Sequence, residues 1–284
     1  MSKTIKAAKL FAPMCLGLGA LIAFSGCSGV KDGSPSGPSV SAIEISTPAP
    51  TDTPEPTAAP TPEPTEEPTP EPTKDPSPTP FPGTSFLPLT DEERTRLVNM
   101  DNPLPEGYVP RDLVNAKELL GDIADFRKDS SLIQYEVGLQ LRELFLAAAD
   151  EGIGRYRVCD PYRTQEYQWT LWNSRVAQDP DYGKDPYVTP VGVMPGNCSE
   201  HCAGLAIDIC SVDHPYLDAD FGQTREGRWL RDNAYRFGFI FRYPADKMSL
   251  TGVKYEPWHI RYLGRELALA VHESGLCLEE YLGR

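Results

Sequence analysis

The sequence predicts an α+β domain over residues 89–284, a small and mostly antiparallel sheet flanked by helices. Three observations carry this. Apolar residues recur at helical spacing early in the segment, and short alternating or apolar runs bounded by Gly, Pro and Asp cluster late. The two kinds of element do not alternate strictly, as a parallel sheet with crossover helices would require.

The elements follow in order. Thr90-Asp91-Glu92-Glu93 is a capping box that starts a short helix. A longer helix is expected over 134–150, because Val137, Leu141, Leu144, Phe145 and Ala148 share one face, and Gly152 is placed to stop it. Residues 155–159 alternate and read as a strand that breaks at Asp160-Pro161, after which Thr164 caps a helix through 178. A loop rich in Asp, Pro and Gly comes next. Residues 206–210 read as a buried strand, 226–237 as a helix stopped by Gly238, 239–243 and 258–262 as two more strands, and 265–274 as a closing helix.

Two further segments precede this domain. Residues 1–27 have the layout of a secretory signal: Lys3, Lys6 and Lys9, an apolar run from Leu10 to Phe24, then small residues. The apolar core is shorter than the roughly 20 residues that a membrane-spanning helix needs. Ala23-Phe24-Ser25-Gly26-Cys27 resembles a bacterial lipobox, which would make Cys27 the lipidated mature N-terminus. An uncleaved anchor and a plainly secreted protein are the alternatives. Acyl chains at about 0.8 kcal/mol per buried methylene would hold the protein on the membrane. Residues 28–88 alternate Pro with Thr and Glu from Pro48 to Pro82. Such a segment has little to bury and is expected to be a disordered stalk, extended at about 3.1 Å per residue where proline is dense.

The net charge of −14 is concentrated partly in that stalk, and no basic cluster with interleaved aromatics is present, so nucleic acid is not an expected partner. Five cysteines fall in the domain: Cys159, Cys198, Cys202, Cys210 and Cys277. Cys198 and Cys202 flank His201; a bridge between them, thiolate ligation of a metal, or free thiols are all open.

The chemistry is concentrated in two segments, Ser199-Glu200-His201 running to Asp208, and Glu256-Pro257-Trp258-His259. They supply two imidazoles and a carboxylate able to hold a metal, plus a second carboxylate. That is the inventory of a hydrolytic zinc site, three protein ligands with an open position and a base. Asp208 lies among aliphatics in its strand, where a carboxylate is costly unless paired with a cation, either a metal or an arginine. Glu256 precedes Pro257, so its segment is extended and its carboxylate must converge on the site from a loop. A dication lowers the pKa of bound water from 15.7 to about 7, and a placed carboxylate base adds about 10²–10⁴ in rate. Arg163 stands at a strand-to-helix junction, suited to holding a substrate carboxylate or stabilising an oxyanion.

With these residues in view, Pro195 to Asp208 resembles the SxHxxGxAxD motif of VanY-type zinc D-alanyl-D-alanine carboxypeptidases. Tyr255-Glu256-Pro257-Trp258-His259-Ile260-Arg261-Tyr262 is similar to their ExxH motif. Asn233 to Ile240 and Thr251-Gly252 resemble the connecting region, and Tyr162-Arg163-Thr164 with Gln168 the upstream Tyr-Arg-Ser element. The resemblance covers most of residues 130–265. It implies zinc held by His201, Asp208 and His259, with Glu256 as base and then proton donor to the leaving amine. It also implies that Arg163, Gln168 and Ser199 contact the terminal residue and its carboxylate; Trp258 joins them as a substrate contact. The implied fold is the compact α+β domain that these enzymes share with the zinc domain of Hedgehog proteins. The family departs from this chain at Cys198, Cys202, Cys159 and Asp160, which bear on pocket shape.

The expected function is removal of the terminal D-alanine from peptidoglycan stem peptides by an enzyme tethered through Cys27 at the outer face of a bacterial membrane. An L,D-carboxypeptidase acting on tetrapeptide stems and a non-catalytic zinc-containing module that binds stem peptides are the alternatives.

Overall fold

In the computed structural model of the protein, residues 86–283 are described, so the expectations for the signal, Cys27 and the stalk lie outside the described residues. Thr90 opens the first helix, α1 (Asp91–Thr95), by a reciprocal box: its hydroxyl accepts from the Glu93 amide at 3.2 Å, and Glu93 Oε2 accepts from the Thr90 amide at 2.7 Å. Four short elements follow that the sequence pattern did not reveal: β1 (Leu113–Asn115), α2 (Ala116–Leu120), β2 (Asp125–Phe126) and β3 (Leu132–Gln134). Strands of two or three residues have no period to detect. β1 and β3 pair antiparallel as a separate ribbon.

Helix α3 (Tyr135–Asp150) starts where the Gln134 side chain accepts from the Val137 amide at 3.0 Å, and it buries Val137, Leu141, Leu144, Phe145 and Ala148, the stripe read from the sequence. Beyond it, Gly152 adopts φ 71° and reverses the chain. β4 (Tyr156–Asp160) and α4 (Gln165–Gln178) come next, the latter capped by Thr164, whose hydroxyl accepts from the Tyr167 amide at 3.2 Å. β5 (Ala206–Ser211) is buried at all six residues, as expected of a strand covered on both faces.

The helix expected over 226–237 is α5 (Arg225–Asn233) continued by a tighter 3-10 turn, Ala234–Phe237, and it stops at left-handed Gly238. β6 (Phe239–Phe241) is shorter than the expected 239–243. The Arg242 amide reaches the His259 carbonyl only at 3.5 Å, and Pro244 has no N–H to extend the ladder. α6 (Met248–Thr251), β7 (His259–Tyr262), α7 (Arg265–Ser274) and α8 (Leu278–Tyr281) complete the order.

The main sheet runs β2-β4-β5-β7-β6, parallel between β2 and β4 and antiparallel at the other three junctions. The fold class is α+β, as the sequence indicated. At the centre of this sheet, Asp208 on β5 lies opposite His259 on β7. Among the described residues no helix is long and apolar enough to cross a membrane.

Candidate active site

The register of β5 and β7 places Asp208 and His259 as cross-strand neighbours, so both side chains leave the same face of the sheet. Asp208 Oδ1 lies 3.0 Å from His259 Nδ1. His201 arrives from a tight turn, 199–204, in which the amides of Cys202, Ala203 and Gly204 donate in succession to the carbonyls of Ser199, Glu200 and His201. Gly204 ends that turn at φ 71°, and a Cβ there would stand 2.9 Å from the Pro110 ring. His201 Nε2 lies 3.2 Å from Asp208 Oδ2, completing a cluster whose donor atoms, one from each of the three residues, lie within 4.8 Å of one another.

Each imidazole uses its other nitrogen outward. His201 Nδ1 donates to the Pro161 carbonyl at 2.8 Å, the only direction in which a carbonyl can bond it, so Nε2 keeps its lone pair. Burial, with Arg163 beside it, holds His201 below its usual pKa and therefore neutral. His259 Nε2 points at Glu200 Oε2, 3.5 Å away, at the long limit of a hydrogen bond. Both atoms are buried and neither bonds to anything else. Glu200 thus holds a proton on Nε2 and leaves Nδ1, the nitrogen that faces Asp208, as the one that can exchange its proton for a metal. Histidines that bind metals are oriented by outer partners of this kind.

Glu200 is itself anchored. Its Oε1 accepts from Arg242 Nε and from Arg261 Nη1, each at 2.8 Å, and all three side chains are fully buried. Burial opposes its charge, but the two guanidiniums outweigh that and hold the carboxyl well below the usual range. Arg242 also grips Glu279 through two bonds of 2.8 and 2.6 Å, and Arg261 Nη2 donates to the carbonyls of Arg94 and Arg96.

The donor set fits a dication. Two imidazoles and a carboxylate, with the free nitrogens turned to a shared space, suit a borderline metal such as zinc. Asp208 stays ionised: burial opposes this, but His201, His259 and Arg163 hold its pKa well below 3.8. Glu256 faces the same space from the 254–258 loop, with Oε2 3.9 Å from His259 Nδ1. It is buried rather than in a surface ion pair. Burial pushes its pKa up to about 8, with His259 opposing and Asp208 adding to the rise. A carboxyl poised near neutrality is suited to accepting and returning a proton.

Arg163 is the arginine that pairs with Asp208, and its side chain also lines the cleft. Its Nη2 donates to Asp208 Oδ2 at 2.6 Å and its Nη1 to Gln168 Oε1 at 3.2 Å, while its amide donates to the His201 carbonyl. Gln168 is fixed in turn by a 2.8 Å bond to the Met194 carbonyl. Together with Ser199 and Trp258, all of these residues line one cleft of about 220 Å³, which Leu171, Arg175, Leu217 and Val253 also line. The Trp169 ring of α4 lies against Gly196, where a Cβ would stand 2.2 Å from it, so a side chain at 196 would push that helix off the segment leading to His201.

The profile of the family described as VanY, D-alanyl-D-alanine carboxypeptidase, matches residues 130–265. A bifunctional D-Ala-D-Ala dipeptidase and carboxypeptidase of Enterococcus gallinarum is 32% identical over 189 residues, which are 66% of this chain and 92% of that protein. The chain belongs to the VanY family. A D-alanyl-D-alanine carboxypeptidase of Enterococcus faecalis is 40% identical over 66% of this chain and 64% of its own length. A putative carboxypeptidase of Bacillus subtilis is 36% identical, with 65% of each chain covered. The chain therefore spans just under two thirds of these two curated relatives. Among solved structures, the LD-carboxypeptidase LdcB aligns with TM-score 0.58 at 34% identity, covering 66% of this chain and 84% of that one. A mutant of the vancomycin-resistance D,D-pentapeptidase VanY in complex with Zn(II) aligns with TM-score 0.53 at 36% identity, covering 67% and 99%. The VanY fold is thus the fold of this domain.

Glu200 and the buried pair Arg242 and Arg261 are the parts of this VanY site that sequence reasoning missed. A signal was present: two arginines sit inside the apolar strings Ile240-Phe241-Arg242-Tyr243 and Ile260-Arg261-Tyr262, and buried guanidiniums require buried acids. None of the five cysteines of the domain is bridged in this structure, and Cys198 and Cys202 stand outside the metal-capable cluster.

Proposed function

We propose that the protein is a zinc-dependent D-alanyl-D-alanine carboxypeptidase that removes the terminal D-alanine from peptidoglycan stem peptides. The observation that carries this reading is one cleft holding a three-residue metal cluster, a carboxyl pushed up to about 8, and a guanidinium braced for an anion. His201 Nε2, Asp208 and His259 Nδ1 would hold the zinc, which would supply Lewis acidity toward the scissile carbonyl and the attacking water. Glu256 takes the proton from that water and returns it to the leaving amine of D-alanine. Arg163, steadied by Gln168, grips the terminal carboxylate, and Ser199 and Trp258 bound the space for the last residue. The family match and the Zn(II) and D-Ala-D-Ala complexes of its solved members support the assignment.

The reading extends to placement. Lys3, Lys6, Lys9, the apolar run and Cys27 support export and lipidation, and the Pro-rich segment supports a stalk that lifts the domain toward the wall, where stem peptides lie. The test is mass spectrometry of the purified chain incubated in parallel with a synthetic pentapeptide ending in D-Ala-D-Ala and with the corresponding tetrapeptide. Release of D-alanine from the pentapeptide, abolished by a chelator and restored by zinc, is expected. Cleavage of the tetrapeptide alone, or zinc binding without turnover of either peptide, overturns the proposal.

A further inference from the structure

Cys159 and Cys210 take no part in the proposed hydrolysis, yet their sulfurs approach to 3.2 Å in the buried core, 51 residues apart in sequence. On a regular antiparallel ladder continuing from Arg157↔Cys210 and Val158↔Ile209, the two would be diagonal neighbours on one face, roughly 7–8 Å apart. The register instead shifts between Val158 and Asp160, a bulge centred on Cys159, and this closes the diagonal. Cys198 Sγ turns elsewhere, to Asn197 Oδ1 at 3.4 Å.

We infer that Cys159 and Cys210 are the site of a disulfide that clamps β4 to β5. The clamp lies four residues before Arg163 and two beyond Asp208, whose side chains are themselves joined at 2.6 Å. It fixes the strand carrying the substrate arm against the strand carrying the metal ligand. Formation is two thiol–disulfide exchanges with a disulfide donor such as oxidised glutathione. One cysteine thiolate attacks a donor sulfur and expels one donor thiolate; the second cysteine then attacks the mixed disulfide and expels the other. The two cysteines give up two protons and two electrons, and the donor disulfide becomes two thiols. Both side chains are buried in the fold, so the exchange takes place while the chain is still open. The inference draws on the proposed placement only for the oxidising compartment.

The test uses the full chain refolded in a glutathione redox buffer, alkylated, and mapped by mass spectrometry without reduction. The Cys159 and Cys210 peptides are expected as one species, lighter by two hydrogens, with Cys198, Cys202 and Cys277 alkylated. Adding a phosphine reductant is expected to lower the thermal midpoint by roughly 5–15 °C. Cys159→Ser and Cys210→Ser are each expected to be insensitive to it. Alkylation of both cysteines after oxidative refolding, or a bond between Cys198 and Cys202 in their place, overturns the inference. If either variant does not fold, the wild-type chain with and without reductant carries the test. The map reports the bond whether or not any peptide is hydrolysed, so its outcome is separate from that of the proposed activity.

Discussion

Glu200→Gln isolates what the charge of Glu200 does, because volume and planarity are retained. Oε1 holds two guanidinium donors at 2.8 Å, and Oε2 faces His259 Nε2. In the variant the amide oxygen has to stay with the two arginines, which turns the NH2 group toward His259. Two donors cannot bond each other, so the imidazole has to release its Nε2 proton and carry it on Nδ1. That is the nitrogen facing Asp208, and the metal cluster loses a lone pair. Loss of an outer partner of this kind typically weakens metal affinity about 10–100-fold. At about 1.4 kcal/mol per tenfold, this is roughly 1.4–2.8 kcal/mol. Stability falls as well. Arg242 and Arg261 are balanced by Glu200 and Glu279, and removing one carboxylate leaves a buried positive charge uncompensated, at about 3–5 kcal/mol. Chelator competition measures the first effect and urea denaturation in chelator the second. Glu279→Gln is the control, since it unbalances the same arginine without touching His259: it is expected to lose stability and keep zinc affinity. If Glu200→Gln binds zinc as tightly as the wild type, Glu200 does not set the His259 tautomer.

Glu256→Gln is expected to bind zinc and to lose about 10²–10⁴ or more in kcat on the pentapeptide; retained turnover would remove Glu256 as the base. Arg163→Lys keeps the charge but loses the fork, and kcat/KM is expected to fall roughly 10²–10³ with zinc content unchanged, which steady-state kinetics and metal analysis check. In the metal-free protein, Glu256 is raised to about 8, and His259 is raised to about 9 because Asp208 and Glu200 outweigh burial. Each then binds more protons folded than unfolded, so each contributes stability at low pH that is lost as pH rises through its folded value. Between pH 6.5 and 8 both act, and urea melts in chelator are expected to show stability falling by up to about 3 kcal/mol per pH unit. Metal-free protein that gains stability over that interval contradicts the assignment.

Legibility followed local chemistry. Thr90 and Thr164 stand at the starts of helices that the structure confirms, because a cap is a contact between residues three apart. The stripe of α3 and the apolar run of β5 were likewise readable, since each faces one environment along its length. β1, β2 and β3 were not, because at two or three residues their existence depends on a partner strand rather than on pattern.

The candidate site divides in the same way. Sequence alone nominated the side chains with the valence for the chemistry: Asp208 lies among aliphatics and calls for a metal or an arginine, Glu256 is held extended by Pro257, and only their combination with His201 and His259 points to a metal site. Only the tertiary structure decided which nitrogen of each imidazole is free, which arginine braces which acid, and which two of the five thiols meet. Those are settled by strand register and by one bulge at Cys159, relations between residues dozens of positions apart, to which the local turn closed by Gly204 delivers His201. A hydrogen bond depends on tenths of an ångström and on direction, and neither is written in the order of the residues.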